Sequence, residues 1–382
     1  MIEAGTSLEP YDRALQAGST YEVLAAKNAT LRLRGSSGPI YSFTDLTSGR
    51  GAVNFGHLNP GIDPFEGLSS DVVPNAYPPA ARAHSAWLLK KLGLPEKTVV
   101  YELGVAAAIA KALHMARRRR AGKIVRVEGS LHALELVHGA GDAQSASAEG
   151  AIWIAPGDSF SAWDGVSCLL FEPIQSARGF VPLPLPWIRG LSQSAQAAGV
   201  AVIADESQCG FYRFGKLSLA ASEYLAPDVF LFGNSMTNGI YPLSALIGSP
   251  ALTKEWPGSE ESWQPAFEAA SLGLRAAECV ADYIDSTDLD ALITPIFQQL
   301  VKLSEKLVSN PNLRDFHLAG PTLSVEVRKG RAAEFVRACE QRGVLVSAGI
   351  GGARVSIAPP LTIDSLQLQV ALKAVAQAAG KL

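Results

Sequence analysis

The chain has 382 residues, with 33 Lys and Arg against 36 Asp and Glu and a formal net charge of -3 at pH 7. Hydrophobic residues make up 48% and charged residues 18%, too apolar a balance for a disordered chain. The length is about two to three typical domains, and the absence of a basic excess argues against nucleic acid as a partner.

In chain order, the N-terminal stretch Met1-Ile2-Glu3-Ala4-Gly5-Thr6 has no basic segment leading into an apolar one, so no secretory signal is expected. Thr30–Arg34 and Ile40–Phe43 read as strands, followed by the Gly-rich segment Ser48–Gly56. Ala80–Leu92 and Ala106–Arg120 carry apolar residues at three- and four-residue spacing, which predicts helices. The second ends in Arg117-Arg118-Arg119-Arg120, the one basic run, where cations complement the helix dipole on a solvated end. Ile124–Val127, Cys168–Phe171, Val200–Ala204, Val229–Phe232 and Leu243–Ile247 are short, apolar and rich in β-branched or aromatic residues, as buried strands are. Pro186–Ala198 reads as a helix between two of them. This alternation predicts an α/β fold with a mostly parallel sheet covered on both faces.

Two helical stretches follow around 265–310, Phe267–Tyr283 being the longer. The tail then reads strand (Thr322–Val327), helix (Arg331–Arg342), strand (Leu345–Ser347), strand (Val355–Ile357) and helix (Ile363–Ala379). The expected organisation is a large α/β domain over 66–310 and a small α+β domain built from both ends, 1–65 and 311–382. Cys168, Cys209, Cys279 and Cys339 lie far apart with no C-x-x-C, which fits reduced thiols better than disulfides or a zinc site. No apolar run approaches the roughly 20 residues of a membrane span. A cytoplasmic protein with no membrane association is therefore expected.

Chemistry enters at Val202-Ile203-Ala204-Asp205-Glu206-Ser207-Gln208-Cys209-Gly210-Phe211-Tyr212-Arg213-Phe214-Gly215-Lys216, where an apolar strand ends in an acidic pair and a Gly-x-x-Arg-x-Gly loop. Carboxyl ends of strands are where open α/β sheets bind ligands. The string resembles the A-D-E-V-Q-x-G-x-G-R-x-G-K strand of class III (ornithine/4-aminobutyrate type) aminotransferases, pyridoxal-phosphate (PLP) enzymes of fold type I. Asn54-Phe55-Gly56-His57-Leu58-Asn59-Pro60, Arg126–His132, Phe171-Glu172-Pro173-Ile174-Gln175, Pro227-Asp228 through Ala245, and Pro359-Pro360-Leu361 resemble further blocks of that family in the same order. The resemblance implies a fold type I PLP-transferase-like architecture and a homodimer.

The resemblance also shows what is missing. Six residues past Asp228, where the family carries the Lys that forms the Schiff base, stands Asn234, and no Lys lies between Lys216 and Lys254. An amide nitrogen is neither nucleophilic nor basic, so it forms no imine. Where the family binds phosphate with S-G-T-E at a helix N-terminus, this chain has Gly104-Val105-Ala106-Ala107, without hydroxyls. Leu131 replaces the Tyr that covers the pyridine ring, and Ser262 stands near the place of a Thr that the partner subunit supplies. Asp205, which by resemblance would face the pyridine nitrogen, and Gln208, near the 3-oxygen, are kept.

The expectation is a class III aminotransferase-like chain that is not a competent PLP transaminase, with no cofactor or with PLP held only weakly and non-covalently. A PLP-independent or accessory role in small-molecule biosynthesis follows by family habit. His132, Asp205, Glu206 and Gln208 are candidate acid–base groups, with Glu172 and Arg354 as candidate substrate contacts and no metal expected. An Arg fork at 354 would favour a ligand with a carboxylate, although the family's Arg position is Ser356. His132 and Asp205 equally suit a buried pair that ties strand ends together, and Cys209 an inert buried thiol. Two other readings stay open: a PLP transaminase or aminomutase with its Lys substituted at Asn234, and a non-catalytic scaffold or regulatory partner of an active paralogue.

Overall fold

The computed structural model describes residues 21–35, 38–66, 68, 78–132, 151–253, 270–328, 330–350 and 352–382. The N-terminal stretch Met1–Thr6, Ser262 and the start of the helix expected from Phe267 lie outside them. In chain order the elements are β1 (Tyr21–Lys27), β2 (Thr30–Gly35), β3 (Ile40–Asp45), α1 (Pro79–Leu92), β4 (Thr98–Leu103), α2 (Gly104–Arg119), β5 (Lys123–Val127), β6 (Ala151–Ile154) and β7 (Val166–Phe171). There follow β8 (Ile174–Gln175), β9 (Val181–Pro182), α3 (Leu185–Ala197), β10 (Ala201–Asp205), β11 (Val229–Phe232), β12 (Leu243–Gly248), α4 (Ser271–Ser286) and α5 (Leu289–Leu307). The chain ends with β13 (Leu313–Ala319), β14 (Thr322–Val327), α6 (Ala332–Glu340), β15 (Val344–Leu345), β16 (Ser347–Ala348), β17 (Arg354–Ile357) and α7 (Ser365–Ala379).

A seven-stranded sheet, ordered β4-β12-β11-β10-β7-β5-β6, forms the centre. Its β6, β5, β7, β10 and β11 pair in parallel, while β12 runs antiparallel to both β11 and β4. Every residue of β7, β10, β11 and β12 is buried, the continuous apolar run of strands covered on both faces. On one face α2 packs Ala108, Ile109, Ala112 and Met115 against Ile124, Cys168, Leu170, Ile203, Leu231 and Leu246. The opposite face, with Leu169, Phe171, Val202, Ala204, Phe230 and Phe232, belongs to the main core.

The two ends of the chain meet in the smaller sheets. β15 adds to β1-β2-β3 by parallel pairing with β3, and β13-β14-β17-β16 form a second four-stranded sheet. The run expected as one strand over 345–347 is divided: Val344–Leu345 pairs with β3, Ser347–Ala348 pairs with β17, and buried Val346 turns the chain between sheets. All four cysteines are buried and free. Among the described residues no helix is long and apolar enough to cross a membrane.

Candidate active site

The carboxyl ends of the central strands gather the candidate residues. β4 runs directly into α2 through Gly104, whose φ of 79° is the left-handed region that glycine occupies freely. The N-cap of α2 is Leu103, with no side-chain hydrogen bond to the first turn. The first turn of α2 thus has no capping side chain, and its residues Gly104, Val105, Ala106 and Ala107 carry no hydroxyl. Val105 packs at Gly233: a Cβ there would lie 2.5 Å from Val105 Cγ2 and 2.7 Å from Ser244 Oγ. Asn234 follows Gly233, half-buried, at the start of a 3-10 turn (Asn234–Thr237) with φ 46°. Among non-glycine residues asparagine is one that tolerates this conformation.

Three candidates converge. His132 Nδ1 lies 2.9 Å from Asp205 Oδ2, and both side chains are fully buried. Asp205 also accepts from the Ser207 amide at 3.0 Å. Glu172, just beyond β7, brings a carboxylate oxygen to within 4.8 Å of the His132 and Asp205 donor atoms. It accepts from the Ser176 hydroxyl at 2.8 Å, the Ser176 amide at 3.0 Å and the Leu131 amide at 3.3 Å. Burial, and then the neighbouring Asp205, push the Glu172 carboxyl well above the usual carboxylate range. Burial pulls His132 below the ordinary imidazole value, against the opposing pull of Asp205. Leu131 enters this site through its backbone, its amide meeting Glu172, and it presents no aromatic plate.

Two candidates are not brought into the cluster. Glu206 leaves β10 on the face opposite Asp205 and accepts from the Ser218 hydroxyl at 2.5 Å, the Leu219 amide at 2.6 Å and the Ala220 amide at 3.3 Å. It therefore anchors the start of the short helix Leu219–Ser222, and burial raises its carboxyl to about 7. Arg354, expected as a carboxylate fork in the cleft, sits within the small sheet. Its guanidinium donates to Asp315 Oδ2 at 2.6 Å, the Asp315 carbonyl at 2.5 Å and Ser324 Oγ at 2.9 Å. Strand register explains the difference, because Arg354 faces Glu326 across β14–β17. Ser356, two residues on, donates to the Gly179 carbonyl at 3.0 Å and ties β17 to the turn after β8.

Gln208 is half-buried, with Oε1 facing the Gly51 turn of the N-terminal segment. Cys209 is buried, and burial and its acidic neighbours push its thiol far up, so it is an inert thiol. Of the family-like blocks, Asn54 and Arg213 turn out to be structural. Arg213 Nε donates to Asn54 Oδ1 at 2.9 Å, and its other nitrogens reach Ser48 Oγ at 2.8 Å and the Ala358 carbonyl at 2.7 Å.

An ion pair under α2 escaped the sequence reading. Lys111 and Glu102 are paired with both side chains about 3% exposed. Glu102 is opposite Ser244 in the β4–β12 register, next to the Gly233–Asn234 turn. The only sequence signal was a Lys among alanines at a position of α2 that helical spacing places on the apolar face.

Known proteins resemble this chain over different extents. Ornithine aminotransferase 2 of Staphylococcus aureus (strain N315) is 26% identical over 211 residues, covering 55% of this chain and 52% of that protein. Ornithine aminotransferase of Exiguobacterium sp. is 25% identical over 221 residues, covering 57% and 54%. The chain thus spans about half the length of the curated relatives it matches. Among solved structures, a Bacillus anthracis aminotransferase superposes with TM-score 0.81 at 18% identity, over 95% of this chain and 94% of that one. Acetylornithine aminotransferase from Elizabethkingia anophelis gives TM-score 0.78 at 20% identity, over 97% and 98%. At such identities the likeness establishes the fold, that of fold type I aminotransferases. The family described as Aminotransferase class-III matches residues 160–379, more than half of the chain. By that match, and with the fold in agreement, this protein belongs to the class III aminotransferases.

Proposed function

We propose that this protein keeps the class III fold but does not carry out PLP-dependent transamination, and that its cleft serves a small-molecule ligand in a PLP-independent or accessory step of biosynthesis. The observation that carries the proposal is Asn234 at the foot of β11, where an amide offers neither the nucleophile nor the base that imine chemistry requires. Two features of the cleft agree with it. The first turn of α2 has no hydroxyl or side-chain cap to hold a phosphate, and each missing charge-assisted hydrogen bond forfeits about 1.5–3 kcal/mol. Val105 Cγ2 packs into the space that Gly233, lacking a Cβ, leaves next to Asn234. These residues do not fit PLP.

What remains is a set of acid–base groups. Asp205 and Glu172 stand at strand ends with His132 beside them, and a raised carboxyl beside a depressed imidazole is a pair suited to proton transfer with a ligand. That buried polar cluster is what a ligand-handling cleft would use. A carboxylate on the ligand loses its first support, because Arg354 is held by Asp315. A homodimer and a cytoplasmic location remain part of the proposal by family habit.

The test is a half-reaction assay with saturating PLP, an amino-donor panel that includes ornithine, and detection of the carbonyl product. No turnover above free PLP is expected. Turnover that is lost in Asp205→Asn would overturn the proposal.

A further inference from the structure

We propose that His132, Glu172 and Asp205 form a three-donor site for a divalent first-row transition metal. It deepens the reading above, since it requires that no pyridine nitrogen claims Asp205. Glu172 and Asp205 stand at the carboxyl ends of β7 and β10, and His132 lies in the turn that follows β5, the third of these adjacent strands. Neighbouring strands are about 4.8 Å apart, so successive strand ends bring side chains within one coordination sphere without long excursions. The donor atoms lie within 4.8 Å of one another, and all three residues are buried. Among the described residues this is the one such group of His, Cys, Asp and Glu.

Donors held at about 2.0–2.2 Å by one ion lie at most about 4.4 Å apart, so the group, within 4.8 Å, has to close slightly at Glu172. Zinc and its neighbours bind nitrogen and oxygen donors at about 2.0–2.2 Å, so two donors at right angles about one ion are about 3 Å apart. His132 Nδ1 and Asp205 Oδ2 are 2.9 Å apart, so an ion takes the place of the proton they share. Glu172 closes the third position, its carboxylate already oriented by Ser176 and the Leu131 amide as ligating carboxylates usually are. Two buried polar atoms on the same turn, Ser130 Oγ and His132 Nε2 on the side of the ring away from Nδ1, have no hydrogen-bond partner among the described residues. Native interiors rarely leave such atoms without water, an ion or a ligand. A mixed nitrogen and carboxylate set suits zinc, cobalt, manganese or iron rather than calcium, and three protein donors leave a position for a small ligand.

The test uses the full chain, stripped with chelator and titrated with Co²⁺ while visible d–d bands are followed. Zinc content after gel filtration is measured in parallel. One ion per chain is expected, with affinity falling at least about tenfold in Glu172→Gln and in Asp205→Asn, both near-isosteric. His317→Ala, which removes an exposed His beside Asp315, should leave both readings unchanged. Near-UV circular dichroism confirms that the variants are folded. Absence of the bands with less than stoichiometric zinc, or equal affinity in the parent and both carboxylate variants, would overturn the site. A parent that retained PLP and bound no Co²⁺ would sink both the function proposed above and the metal site. A chain that took neither would sink the metal site alone.

Discussion

Lys111 and Glu102 show how much single side chains count in this protein. Breaking a buried ion pair by removing one partner strands a charge, at a cost of about 3–5 kcal/mol. Lys111→Met should therefore lower stability in urea by about that amount, and Glu102→Leu likewise, whereas the double substitution should restore most of it. Additive losses in that cycle would show that the two groups are not coupled. His132, Glu172 and Asp205 were legible in the sequence because each ends or follows a short apolar strand in a familiar order of blocks. The roles of Glu206 and Arg354 were not. Side chains alternate along a strand, so Asp205 and Glu206 must take opposite faces, and only the placement of Ser218 decides what Glu206 meets. Arg354 depended on the register of β14 against β17, which no local pattern carries.

At the scale of elements, the strands flanked by clear turns were legible and those without them were not. β4 passes into α2 with no intervening loop, so Thr98–Leu103 carried no boundary signal. β13 holds Arg314, Asp315 and His317 and has an irregular register between Arg314 and Phe316, which breaks its alternation. Buried polar side chains, Asn238 and Ser356 among them, join the terminal segments to the central part of the chain. Arg213, fully buried, links Asn54, Ser48, Ala358 and Pro359 and so holds the N-terminal and C-terminal segments to the loop after β10. Arg213→Lys keeps a charge and loses the planar fork, and should cost about 2–4 kcal/mol in thermal or urea unfolding. A Tm within a degree of the parent would contradict this role.

For the whole molecule, buried acids set the response to pH. Glu206, with its folded value at about 7, and Glu172, also raised, bind protons more tightly folded than unfolded. Their stabilising effect is complete below the unfolded carboxylate range and is lost as pH rises through the folded values. His132 and His84 are pushed down, His84 to about 4, so their opposite effect is finished by the ordinary imidazole value near 6.5. Between pH 6.5 and 8, stability should then fall by about 1–2 kcal/mol, measured by urea unfolding, and a flat or rising profile would contradict the buried acids. The loss of imine chemistry is likewise a property of the cleft as a whole, since Asn234, Val105 and Leu131 come from three separate strand ends. Its most direct measurement is the near-ultraviolet and visible spectrum after incubation with excess PLP and desalting, for the parent and for Asn234→Lys. No retained cofactor band is expected in the parent, and none at full stoichiometry in the variant, because the first turn of α2 still lacks its hydroxyls. A band retained by the parent, or a complete internal-aldimine band gained by Asn234→Lys alone, would contradict it.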